Sequence, residues 1–396
     1  MILVPVRIPG PLAVLRLCAS VLVTVAFAAA ATAQENTPTV RLGQPNATYD
    51  EPFSALSGLR ELSDGTLLVG DRIDQVIQHV DLASGSGRPV GRKGAGPGEY
   101  DTPMGLYALP NDSTLVFDMG NNRFLVLTPE GKPGDTFMPT LETGGGPGAR
   151  FLSPPRGVDN QGGIYFAGQP MRAGASGMPE SIDSSAIIRY DRTSRKVDTL
   201  GLVKAPAMNI QASGDQNRRE LRIRPAPMPA QDEWGVTPDG RIGIARVGGL
   251  RVEWLAPDGS RAAGAAFAYK PIKVSKADYR AWQKRMGSSM GREIENGRSR
   301  LVRVPLPEID EREWPDYKPP FLAGAVAVAP SGELWLLRTR PADDPTPVYE
   351  VFDASGKLVR RVQLPPKTEV AGFGKRSVYL VRIDEDDLQW LERYRL

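Results

Sequence analysis

The chain contains one histidine, His79, and one cysteine, Cys18, so the side chains most used for nucleophilic and metal chemistry are nearly absent. A histidine-based zinc site needs more than one such ligand, and no second cysteine can substitute. A Ser–His–Asp arrangement would also depend on His79, and no Gly-x-Ser-x-Gly elbow precedes a helix. His79 falls inside a β-rich run at 76–80 and reads as an ordinary strand residue. The glycine-rich runs at 94–98 and 144–148 lack the Lys-Ser/Thr ending of a phosphate loop and read as loops leading into strands. Carboxylates remain. Asp71, Asp118 and Asp384 occupy equivalent turns, where an aspartate commonly accepts backbone N–H bonds. Calcium-dependent hydrolysis would instead need such oxygens to converge on one point. The acids at 343–344 and 384–387 read as solvated loop charges.

A second group suits recognition. Tyr100, Phe151, Arg156, Trp234, Tyr317 and Phe321 all lie in segments that lead into the first strand of a repeat. Aromatic and arginine side chains around a concave mouth fit glycan, peptide or protein ligands. The same aromatics can also wedge neighbouring sheets together.

The elements that position these residues are set by a repeating pair of tight turns. The first of each pair is Ser63-Asp64-Gly65, Pro110-Asn111-Asp112, Asn160-Gln161-Gly162, Pro238-Asp239-Gly240, Pro330-Ser331-Gly332 and Gly374-Lys375. β-branched and aromatic runs follow, then a second turn such as Ala83-Ser84-Gly85 or Pro257-Asp258-Gly259. Four strands per unit, at a period of about 40–50 residues, predict an all-β, six-bladed β-propeller. With strands A to D counted from the hub outward, every short glycine turn is A–B or C–D. The long connections, at 168–185, 202–232, 270–319 and 338–347, are all B–C or D–A. One rim is therefore trimmed and the other elaborated, and long loops on a rigid scaffold commonly bind ligands.

The last unit ends at the chain terminus without a fourth strand. The β-like run Thr39-Val40-Arg41-Leu42 is expected to supply it and close the ring. Two insertions are expected, at 202–232 and 272–319, the second carrying a helix between blades 4 and 5. Ser275 can cap that helix, Tyr279, Trp282 and Met286 recur along one side, and Arg280, Lys284 and Arg285 lie on another.

Residues 1–33 read as a secretory signal: Arg7 and Arg16, an apolar core at 17–30, and the small-x-small run Ala31-Thr32-Ala33. That core is too short to span a bilayer as an anchor. Its removal would leave 363 of 396 residues, no cysteine, and 47 basic residues (49 less two) against 46 acidic, which gives no basis for nucleic-acid binding. Residues 34–396 then form one domain.

In the second unit the sequence reads Gly94-Ala95-Gly96-Pro97-Gly98-Glu99-Tyr100, Pro103-Met104-Gly105, and Asp118-Met119-Gly120-Asn121-Asn122-Arg123. This resembles the NHL-type repeat of six-bladed propellers. Gly144 to Gly148, Pro155-Arg156-Gly157, Asp71 and Asp384 echo parts of it. The resemblance implies the fold and leaves activity open, because such propellers host enzymes, sensors and adhesive surfaces. Lyases of this type typically use histidines in the central mouth, and relatives resembling gluconolactonases use calcium.

The sequence therefore predicts an exported (periplasmic or secreted) monomer without cofactor or membrane span. Its expected role is non-catalytic binding of a ligand, protein or glycan on the long-loop face. The alternative is a calcium-dependent lactonase, esterase-like hydrolase or lyase.

Overall fold

The computed structural model describes residues 37–139, 154–174, 179–214, 219–286, 290–295, 298–303 and 309–396. The predicted signal segment, the glycine run at 144–148 and Phe151 lie outside the described residues. Six antiparallel sheets form the blades of a propeller. Blade 1 comprises Leu56–Glu61, Leu67–Asp71, Val76–Asp81 and Ser86–Val90, and blade 2 comprises Pro103–Ala108, Thr114–Asp118, Arg123–Leu127 and Pro133–Phe137. Blade 3 uses Gly157–Val158, Gly163–Ala167, Ser184–Asp191 and Val197–Lys204, and blade 4 uses Glu233–Val236, Ile242–Arg246, Arg251–Leu255 and Arg261–Ala263. Blade 5 has Val326–Val328, Leu334–Leu337, Val348–Phe352 and Leu358–Gln363. Blade 6 has Thr368–Phe373, Ser377–Ile383 and Gln389–Arg395, and Ala47–Thr48 is its outermost strand.

The second strands are buried on both faces because each blade is sandwiched between two others. Leu67–Asp71 and Thr114–Asp118 are buried throughout. Such strands lose the apolar–polar alternation of a half-exposed sheet and read as continuous apolar runs. Leu67 and Val69 face blade 6, whereas Leu68 faces blade 2. Six apolar clusters result, one in each gap between neighbouring blades, and the sixth joins blade 6 to blade 1.

The ring is closed by the N-terminal segment, but not by the residues expected. Ala47–Thr48 pairs antiparallel with Glu392 and Arg393. The pairing runs on through Tyr49 N to Leu391 O (2.9 Å) and Phe53 N to Gln389 O (2.8 Å). Thr39–Arg41 instead lies parallel to Leu358–Gln363 on the outer edge of blade 5. The reason is burial: Tyr49 and Phe53 sit in the cluster between blades 6 and 1, and large aromatics dominate the energetics of such a core. Once they are seated, residues 39–42 are too far upstream to reach the same strand.

All long connections leave one rim, as strand alternation requires. The blade 3 B–C connection carries the hairpin Met171–Ala173/Pro179–Ser181, and the 3-to-4 connection carries Met208–Gly214/Arg219–Pro225. The 4-to-5 connection holds the helix Lys276–Met286 (α1) and the hairpin Met290–Glu295/Arg298–Arg303. Ser275 caps α1 as expected: its hydroxyl accepts from Asp278 N at 3.2 Å, and Asp278 returns a bond to Ser275 N at 2.9 Å.

Candidate functional site: the central cavity

The inner strands enclose an axial cavity of about 570 Å³, within the size range of small-molecule sites. Its wall includes Leu59, Leu106, Val158, Val236, Val328 and Phe373, and it extends to the A–B turns at Ser63, Asp112, Pro238, Pro330 and Lys375. Among the described residues, none from 168–185, 205–232 or 264–325 lines it. The cavity thus reaches toward the trimmed rim.

Inner strands can converge this closely because their contact positions are small. A Cβ on Gly58 would meet Leu106 N at 2.7 Å and the Gly105 Cα at 3.0 Å, both backbone atoms that cannot turn aside. This gives the Pro-x-Gly motif its physical meaning at the hub.

The two carboxylates that line the cavity, Glu61 and Asp112, and the adjoining Glu233 are engaged across blade boundaries. Arg60 reaches from blade 1 to the Asp112 carboxylate and to Thr114 Oγ1 in blade 2, and Ser63 N donates to Asp112 at 3.0 Å. Burial lowers the Arg60 guanidinium from its ordinary value, opposed by the Asp112 charge. Glu61 accepts from Tyr379 Oη (2.5 Å) and Lys375 N (3.1 Å) of blade 6. Burial, reinforced by Glu61, raises the Tyr379 phenol. A Cβ at Gly374 would lie 1.7 Å from Glu61 Oε2, so only glycine leaves room for this latch. Fully buried Glu233 accepts from Arg156 Nη1 (3.1 Å) and Gln231 Nε2 (2.5 Å). Between blades 2 and 3, Tyr107 Oη donates to Pro155 O at 2.8 Å, and burial raises this phenol too.

Arg156 is the exception to full engagement. Its guanidinium lies 5.8 Å from the Trp234 ring centroid, its side chain is 32% exposed, and only Nη1 has a side-chain partner among the described residues. Lys375 at the turn is exposed. Sequence reasoning named Arg156 but missed Arg60, Glu61, Tyr107 and Lys375, which carry no local motif. Their shared position near the ends of inner strands was the available signal.

The other expected ligand-binding residues are dispersed. Tyr100 is buried between blades 1 and 2, with its hydroxyl donating to Val90 O (2.7 Å) and accepting from Ile77 N (2.9 Å). Trp234 belongs to the cluster between blades 3 and 4, and Phe321 to that between blades 4 and 5. Tyr317 is 49% exposed on the insertion. Of the expected residues that are described, only Arg156 and Trp234 line the cavity.

The turn aspartates do not converge. Asp71 accepts from Ala55, Ile73 and Asp74 N–H groups at 2.8–3.0 Å. Asp384 accepts from Asp386 N, Leu388 N and Trp390 Nε1 at 2.7–3.0 Å. Asp118 accepts from Asp101 N (2.9 Å), Asn121 Nδ2 (2.7 Å) and Arg123 Nε (3.2 Å). Asn121 and Arg123 in turn donate to the carbonyls of Gly94, Ala95, Gly96 and Glu99. The Asp-x-x-Asn-x-Arg motif therefore fastens the glycine-rich loop to its blade. Among the described residues no group of three or more His, Cys, Asp or Glu is arranged to hold a metal ion. His79 lies in a strand with Nε2 3.0 Å from Thr66 Oγ1. No described helix is long and apolar enough to cross a membrane.

No protein-family model matches the sequence, and no curated protein matches it. Among solved structures the chain is similar to regucalcin, a calcium-binding protein of Agrobacterium tumefaciens, at 11% identity over 90% of this chain and 96% of that one (TM-score 0.36). It is also similar to virginiamycin B lyase of Staphylococcus aureus, at 11% identity over 89% and 98% (TM-score 0.41). A gluconolactonase of Xanthomonas campestris shares 13% identity over 91% and 95% (TM-score 0.41).

Proposed function

We propose that this chain is a non-catalytic binding module whose central cavity takes a small ligand with an apolar body and an anionic group. The observation that carries this reading is the commitment of Glu61, Asp112 and Glu233 to partners across blade boundaries. A general acid or base must be within reach of substrate, and a calcium site needs several oxygens around one point. Engaged carboxylates offer neither. What remains for a ligand is an apolar wall, the free edge of the Arg156 guanidinium and the Lys375 ammonium near the turns.

Octanoate and phenylacetate, with their methyl esters as controls, test this by tryptophan fluorescence and thermal shift. The acids are expected to bind, and Arg156→Gln to weaken that binding about tenfold, the loss of one charge-assisted bond. Ester hydrolysis that requires calcium and fails in Asp118→Asn and Asp71→Asn would overturn the reading. So would a complete lack of response to the acids.

A further inference from the structure

The insertion between blades 4 and 5 is electrically unlike the rest of the chain. Residues 270–303 hold ten basic and three acidic side chains, a surplus of seven, while the whole chain carries +3; all other residues therefore sum to −4. On the blades, guanidinium groups are repeatedly paired: Arg123 with Asp118, Arg189 with Asp159, Arg246 with Asp232 and Arg338 with Glu350. Lys270, Lys273, Lys276 and Arg280 are exposed and have no ion pair among the described residues.

Local geometry turns these cations outward. Residues 272–274 run antiparallel to 316–318, through Val274 N to Asp316 O (3.0 Å) and Lys318 N to Ile272 O (2.8 Å). Lys273 is thereby set opposite Tyr317, on the side away from buried Lys318. Lys276 and Arg280 follow one helical turn apart. The acid of α1, Asp278, is spent inward on Lys318. Tyr279 and Trp282 are likewise turned inward onto Trp314, with ring centroids 5.0 and 5.3 Å away. The exposed acid nearby is Asp316. Like charges at i and i+4 disfavour a helix, so local folding gives no reason for Lys276 and Arg280 to lie one turn apart on its exposed side.

We propose that this basic surface docks the protein onto an anionic lipid bilayer. Its cations are exposed and line none of the cavities described, which fits an extended sheet of phosphate groups. Tyr317 beside Lys273 is the residue type favoured at such interfaces, and clustered Lys/Arg supply the attraction. Because Tyr279 and Trp282 are occupied by Trp314, the contact is electrostatic and does not require insertion of the helix.

Cosedimentation of the purified protein with two kinds of vesicle tests this, one of phosphatidylcholine alone and one containing one-third phosphatidylglycerol. Binding to the second alone is expected, weakening at least tenfold as ionic strength rises from about 0.05 to 0.3 M. Combined Lys270→Glu, Lys273→Glu, Lys276→Glu and Arg280→Glu substitutions should abolish it without moving the melting temperature, since all four positions are exposed. The milder set Lys270→Gln, Lys273→Gln, Lys276→Gln and Arg280→Gln should weaken it at least tenfold. Arg251→Glu, on blade 4, should leave it unchanged. Equal binding to both vesicles, no binding at low salt, or full binding by the charge-reversed variant would overturn the proposal. Capture by polyphosphate without vesicle binding would do the same.

Discussion

Single residues here act mainly as fasteners between pieces that strand pairing does not join. Asp118 is fully buried, and its partner Arg123 remains 18% exposed while donating to three carbonyls of the preceding loop. Removing the carboxylate strands that guanidinium and releases Asp101 N. Asp118→Ala is therefore expected to cost about 3 kcal/mol, and Asp118→Asn about half as much because one acceptor survives. Urea unfolding with an unchanged slope checks this. Losses below about 0.5 kcal/mol would show that the glycine-rich loop holds itself.

At the scale of elements, polar contacts fasten the helical insertion alongside the packing of Tyr279 and Trp282 on Trp314. Asp278 both caps α1 and pairs with Lys318, whose Nζ also donates to Arg340 O at 2.8 Å. Arg224 of the neighbouring insertion donates to Glu313 at 2.6 Å, and Asn209 donates to the same carboxylate. The two insertions are thus tied together. Burial alone would raise the Asp278 carboxyl, but the bonds from Lys318 and Ser275 outweigh it and hold the group below its ordinary value. A lowered folded value contributes stability above the unfolded carboxylate pKa, near 3.9, and loses it as pH falls through the folded value. Amide protection factors across 276–286 should therefore fall below about pH 4 while those of the blades stay high. Asp278→Asn should produce the same loss of protection at neutral pH. Uniform protection at both pH values would mean that Trp314 packing suffices.

For the molecule as a whole, the ring has no free interface, so its stability depends on the one closure made by residues distant in sequence. Truncation to residue 44 removes Thr39–Arg41, exposed on the edge of blade 5, and Leu42, which packs at the border of the cluster between blades 5 and 6. Losing this edge strand should lower the melting temperature by a few degrees, far less than losing the closing strand. Truncation to residue 54 removes Tyr49, Phe53 and the outer strand of blade 6, and opens the gap between blades 6 and 1. That loss, of the order of two buried aromatics at about 3 kcal/mol each, should abolish the cooperative thermal transition. Similar melting of both truncations would show that closure is made elsewhere.

Turn chemistry alone determined the blade number, the strand rhythm, the concentration of long connections on one rim and the capped helix at Ser275. Each is a local property: Gly65, Gly240 and Gly332, for example, all take the positive φ that their turns require. The turn role expected for Asp71, Asp118 and Asp384 was legible for the same reason. Tertiary structure alone decided that Ala47–Thr48 closes the ring, because that register depends on where Tyr49 and Phe53 find a hydrophobic gap. It also decided that the cavity extends toward the short turns and that Arg60, Glu61 and Arg156 meet partners from the next blade. Residues 314 positions apart, such as Glu61 and Lys375, carry no mutual pattern in the chain. Their pairing follows from the closure of the ring, which brings the last inner strand beside the first.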